Sequence, residues 1–151
     1  MSVDFGCIAW HEDGRWSATA LASTRDIGAI IDALKAQQTN GGAIGLIAIE
    51  DEFVIIARAL GDQMQMMISD ITYALDYEVA AELVEVLDLE FPEEDEAQPG
   101  GDLDLLNDLG VSQMELLTIL DDTELYPDEQ LEAIANRLGF GDQFNQVIES
   151  N

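Results

Sequence analysis

One imidazole, His11, and one thiol, Cys7, are all that this 151-residue chain offers of the side chains most used in covalent and zinc-dependent catalysis. Zinc chemistry on nucleobases needs a His/Cys ligand set beside a glutamate, typically H-x-E followed by P-C-x-x-C. His11-Glu12-Asp13 places an imidazole beside acids, but no second soft ligand accompanies it, and it reads as an exposed histidine at the end of a hairpin. Nucleophile triads fail on the same count, since Ser and Thr are plentiful but His11 alone could serve as their usual base. Cys7, in VDFGCIAW, reads as a small buried strand residue and has no partner for an internal disulfide, which fits a reducing compartment.

Two further motifs fail on spacing. Gly139-Phe140-Gly141 follows a predicted helix instead of a strand, and no G-x-x-x-x-G-K-[ST] occurs, so a tight turn between helices is expected there and not a phosphate loop. Asp102, Asp104, Asn107, Asp108 and Glu115 suggest a calcium loop, yet a loop starting at Asp102 needs an oxygen ligand at its fifth place and Gly at its sixth. Leu106 and Asn107 stand there. The residues thus assign no catalytic, cofactor or metal site. Met64, Met66 and Met67 read as sheet packing, with Met64 and Met66 on one face and Met67 on the other. Trp10 and Trp16, near the hairpin end, are candidate interface anchors.

These residues must be carried by a recognisable order of elements. Strands at 3–11 and 15–22 flank Asp13-Gly14, a pair suited to a tight hairpin turn that sets Glu12 opposite Arg15. Asp26 caps a helix in which Ile27, Ile30, Ile31 and Leu34 recur at helical spacing, and Asn40-Gly41-Gly42 stops it. Three strands follow at 43–49, 53–60 and 63–69, with separators short enough to force antiparallel neighbours. Asp70 opens a second amphipathic helix, to residue 87, through Ile71, Leu75, Val79, Leu83, Val86 and Leu87. The expected fold is therefore α+β: a five-stranded antiparallel sheet in ββαβββα order, shared by profilin-like, roadblock-like and longin-like domains, with both helices on one face.

Beyond it the composition shifts. Residues 88–101 combine an acidic run with Pro and Gly and read as a flexible linker, and 102–151 reads as a small helical module, separate from a sheet domain at 1–87 that should fold without it. Four short helices are expected near 102–108, 112–121, 127–138 and 142–149. An internal echo punctuates them, because Asn107-Asp108-Leu109-Gly110-Val111 returns as Asn136-Arg137-Leu138-Gly139-Phe140. In both copies Gly can end a helix, and Ser112 or Asp142 can cap the next. Pro127 suits a helical first turn, with Asp128 and Glu129 at its positive end.

Charge bounds the function. The net charge is −27, and residues 59–136 hold 22 of the 32 Asp and Glu without one Lys, Arg or His. A surface of that sign does not neutralise phosphates, which argues against direct binding to nucleic acid or to an anionic membrane and in favour of a basic protein partner. The hydrophobic fraction of 48% excludes wholesale disorder. No stretch is apolar enough to span a bilayer and the first residues are unlike a secretion signal, so a cytoplasmic location is expected.

The stretches LLNDLGVSQMELLTIL and PDEQLEAIANRLGFGDQF, with EDGRW, IGLIAIEDEF and the acidic linker before DLDLLNDLG, resemble the actinobacterial tRNA adenosine deaminase-associated proteins over most of the chain. The family's name implies a link to the enzyme that makes inosine at the tRNA wobble position, and it brings no catalytic residues to carry over. Joined to the charge argument, the resemblance implies a non-enzymatic adaptor for a basic partner, with Trp10, Trp16 and the acidic Glu93, Glu94, Asp95 and Glu96 as the expected contact residues. A second reading stays open, in which the carboxylates imitate phosphates and block a DNA- or RNA-binding protein.

Overall fold

In the computed structural model, which describes residues 4–37, 39, 41–95, 97–122 and 124–149, strands β1 (Phe5–Glu12) and β2 (Arg15–Ala20) form the expected hairpin. Asp13 and Gly14 both take positive φ, and Glu12 pairs with Arg15 across the turn. Helix α1 (Ile27–Gln37) follows Asp26, whose carboxylate accepts the Ala29 N–H at 3.1 Å. Strands β3 (Ala43–Ile49), β4 (Phe53–Leu60) and β5 (Gln63–Ile68) then form the antiparallel meander.

The sheet has six strands, not the five expected from the sequence. The sixth, β6 (Gly100–Gly101), comes from the segment read as linker and pairs antiparallel with Met67 and Ile68, giving the order β2-β1-β3-β4-β5-β6. Strand propensity could not show it, since two glycines have no side chain to pack. Gly101 is nevertheless tightly specified: its φ is +101°, and a Cβ there would lie 2.4 Å from the Met66 carbonyl oxygen. Asp102 completes the seam, its carboxylate accepting the Met66 N–H at 3.0 Å.

Both faces of the sheet are buried. One core unites Ile8, Ile47, Phe53, Ile55 and Met66 with α1 and with α2 (Glu78–Val86). The other unites the alternate strand residues, Cys7, Ile44, Leu46, Val54, Ile56 and Met67, with the chain after residue 102. The result is three layers, helices on sheet on helices, and the segment from Leu87 to Gly100 carries the chain from one face to the other. The methionines divide as their alternation predicts, Met64 and Met66 toward the first core and Met67 toward the second.

The second helix is shorter than its periodicity predicts. Ile71–Leu75 winds as a tighter 3₁₀ turn, and α2 starts only at Glu78. Tyr73 and Tyr77 flank this break and both pack on Phe53, at ring-centroid distances of 4.8 and 5.2 Å. These ring contacts join residues far apart in sequence on one face of the sheet, so local periodicity carries no trace of them. After β6 the helix expected at 102–108 is replaced by turns and a 3₁₀ turn at Asn107–Leu109. Then come α3 (Gln113–Leu120), α4 (Pro127–Leu138) and α5 (Gly141–Glu149). Gly110 and Gly139 end their segments at φ of 99° and 105°, as the echo implies. Ser112 caps α3 by accepting the Glu115 N–H at 3.2 Å, whereas Asp142 lies inside the first turn of α5 and not before it.

Candidate functional site

Helix α3 is apolar on more than one side, QMELLTIL, and its surroundings use only part of that surface. Leu116 is fully buried in the second core and Ile119 packs beside it, but Met114 is 79% exposed. Met114, Leu117, Thr118 and Asp121 stand three or four residues apart and so share one flank of the helix. With Gln113, Leu120 and Asp122 they line a groove of about 900 Å³ whose remaining lining is Ser69 and Pro99. Ser69 is fixed by reciprocal bonds to Val54, one backbone N–H donating at 3.0 Å in each direction, and Pro99 directly precedes β6. The β5–β6 seam therefore sets the wall that faces α3.

The rim of the groove is acidic where a helix least favours acid. Asp121 and Asp122 follow the last turn of α3, which carries no basic residue, and the unsatisfied carbonyls of a helix C-terminus are already partially negative. The strand of chain beyond is nonetheless held: Asp122 accepts the Glu124 N–H at 3.0 Å, and the Gln130 side-chain amide donates to the Leu120 carbonyl at 3.2 Å. Asp95 precedes Pro99 by four residues, so at most about 14 Å of extended chain separates this exposed acid from the groove wall.

Three of the four carboxylates weighed above as calcium ligands have other roles. Asp102 holds the β5–β6 seam, Asp108 pairs with Arg58, and Glu115 accepts from Arg137 at 2.6 Å. Among the described residues no three His, Cys, Asp or Glu side chains converge to hold a metal ion. The two ion pairs use the echo, because Asp108 and Arg137 occupy matching places in its two copies and each reaches to another element. Arg58, on β4, is only 4% exposed; its Nη1 also donates to the Leu105 carbonyl at 3.1 Å, while its Nε has no partner among the described residues. Of the five basic residues, Arg25, Arg58 and Arg137 are thus in ion pairs, Arg15 faces Glu12, and Lys35 lies in the last turn of α1.

Two of these pairs set the response to acid. The Arg25 guanidinium bonded to Asp4, and that of Arg58 bonded to Asp108, hold both carboxyls below the usual carboxylate range. Their stabilisation is complete above the unfolded carboxylate value of about 4 and is lost as pH falls through the lower folded values. Self-repulsion at net charge −27 changes in the opposite sense, easing as carboxylates protonate. Urea midpoints are therefore expected to rise from pH ~7 to a maximum near pH ~5 and to drop below pH ~4. A midpoint that climbs without a break to pH ~2 would show that neither pair contributes.

A family profile described as Rv3753c-like tRNA adenosine deaminase-associated protein matches residues 4–141. The chain belongs to this family. A curated relative, Protein Rv3753c of Mycobacterium tuberculosis (strain ATCC 25618 / H37Rv), is 41% identical over 154 residues, covering 96% of this chain and 87% of that protein. No solved structure matches. Among the described residues, no helix of this family member is long and apolar enough to cross a membrane.

Of the contact residues expected from sequence, the two tryptophans lie against opposite cores. Trp10 and Trp16 are both half-buried, but Trp10 packs against the core beneath α1 and Trp16 against the opposite one. Trp16 lies on Phe140 at a centroid distance of 4.8 Å and touches His11 at 5.0 Å, and its carbonyl accepts from the Gln143 side chain at 3.3 Å. It ties α5 to the hairpin. Glu93, Glu94 and Asp95 are exposed, and Glu96 lies outside the described residues. Met114 and Leu117 were missed, although the signal was available: an eight-residue helix with apolar residues on several sides, followed at once by two acids, has more apolar surface than a peripheral position can bury.

Proposed function

We propose that this protein is a non-catalytic accessory subunit that binds a basic partner, and that the partner is the tRNA adenosine deaminase of the family's description. One observation carries the reading. Three of the five basic side chains are engaged in ion pairs within the molecule and acids outnumber bases 32 to 5, so the field presented outward is that of carboxylates, concentrated in the second half of the chain. An enzyme that handles tRNA needs a surface attractive to phosphate, and such a surface attracts this one. In this role the subunit supports wobble adenosine-to-inosine modification without touching the nucleotide.

The test is kinetic. The purified protein is expected to bind no tRNA, and its association with the deaminase should slow about tenfold or more as salt rises from ~0.05 to ~0.5 M, because the Debye length shrinks from about 14 to about 4 Å. Replacing Glu93, Glu94, Asp95 and Glu96 by their amides should lower the on-rate while leaving the melting temperature within a few degrees. Tight binding of tRNA by this chain alone would overturn the reading. Displacement of the protein from the deaminase by tRNA would replace the adaptor role with that of a phosphate mimic.

A further inference from the structure

We infer that the groove beside α3 is a docking site for an amphipathic helix of a basic partner, with apolar residues facing Met114 and Leu117 and Lys or Arg side chains reaching Asp121 and Asp122. The inference rests on the accessory-subunit reading for the partner's charge but stands on the groove for its shape. Three features select this occupant. The exposed flank of α3 is a ridge at helical spacing, and such a ridge is complementary to the side chains of a second helix packed along it. The opposite wall, Ser69 and Pro99, is fixed by the seam between β5 and β6, so the groove exists before anything enters it. Finally, charge decides between occupants: Asp121 and Asp122 crowd the negative end of α3, a placement that costs stability in the free protein and that a cation seated there relieves. A second copy of the chain would bring net charge −27 against −27, which opposes it.

The probe is a labelled peptide of about 16 residues with Leu at helical spacing and Lys and Arg elsewhere, compared with a scrambled peptide of identical composition. Fluorescence anisotropy with the full chain should show the amphipathic peptide binding about tenfold or more tightly than the scrambled one. The decisive variants are Met114→Asp and Leu117→Asp. Each adds negative charge, so attraction to the field alone predicts equal or tighter binding, whereas docking in the groove predicts a loss of about tenfold. Should Leu117→Asp lower the melting temperature, Met114→Asp combined with Thr118→Asp carries the test, since both of those side chains are exposed. Glu82→Gln with Glu85→Gln, on α2 across the sheet, should leave affinity within about twofold. Equal binding of the scrambled peptide, or undiminished binding to the groove variants, overturns the inference.

The same variants assayed against the deaminase separate this inference from the accessory-subunit reading. Binding that ignores Met114→Asp and Leu117→Asp would sink the groove and spare that reading. No complex with the deaminase, alongside groove-dependent peptide binding, would do the reverse.

Discussion

A fragment ending at residue 90 is expected to be recovered aggregated or molten, not as a cooperatively folded domain. The sequence alone favours the opposite outcome, because helices at 26–38 and 70–87 can cover a sheet, and they do cover one face. The other face is the difficulty. Ile44, Leu46, Val54, Ile56 and Met67 are buried there by elements that the fragment lacks. At roughly 1.5–3 kcal/mol for each such side chain, their exposure costs on the order of 8–15 kcal/mol, an upper estimate that still matches the ~5–15 kcal/mol net stability of a typical domain. Loss of β6 also leaves β5 as an uncovered edge. Far-UV and near-UV circular dichroism with a urea titration would decide. A soluble fragment with a sharp transition would show that the sheet with α1 and α2 is self-sufficient and that the rest is an appended module.

The second large effect is expected at Arg58, and it is asymmetric. Among the described residues, Asp108→Ala strands a buried guanidinium whose Nε already lacks a partner, with the Leu105 carbonyl as the acceptor that remains. Removing one partner of a fully buried pair costs about 3–5 kcal/mol; Asp108 is 61% exposed, so water moderates the loss to about 1–3 kcal/mol. Arg58→Met should cost less, within about 1 kcal/mol, because a flexible apolar chain of similar length removes the desolvated charge together with its need for a counterion. In the Arg58→Met background, Asp108→Ala should then be almost silent. Urea unfolding of the four proteins measures the coupling. Equal costs for Asp108→Ala in both backgrounds would mean that the pair adds nothing.

How much of this was legible varies by element, for physical reasons. Strands β3 and β4 and helix α4 were read to the residue, because their patterning and their stop signals, Gly42, Gly61 and Gly139, are local. The burial of both sheet faces was also written in the chain, but in a form easily passed over. AIGLIAI and FVIIARAL are nearly continuous apolar runs, whereas a sheet with one wet face alternates. Arg58 is the one charge in those runs, and its position marks where the chain after residue 102 returns to the sheet. By contrast β6 and the break before α2 depend on contacts between residues far apart in sequence, a backbone seam in one case and three aromatic rings in the other. The same holds for the groove. Met114 and Leu117 come from one helix, and their neighbours Ser69 and Pro99 are brought to them only by β5 and β6.

The division of the two tryptophans between the faces equips the molecule with one intrinsic fluorophore per core. Trp16, packed against Phe140 at the junction of α4 and α5, changes its surroundings when the C-terminal helices leave the sheet. Trp10 senses the layer of α1 instead. Emission from Trp10→Phe and Trp16→Phe proteins thus separates the melting of one face from that of the other, and coincidence of the two curves is a label-free readout of whether the three layers unfold as one cooperative unit.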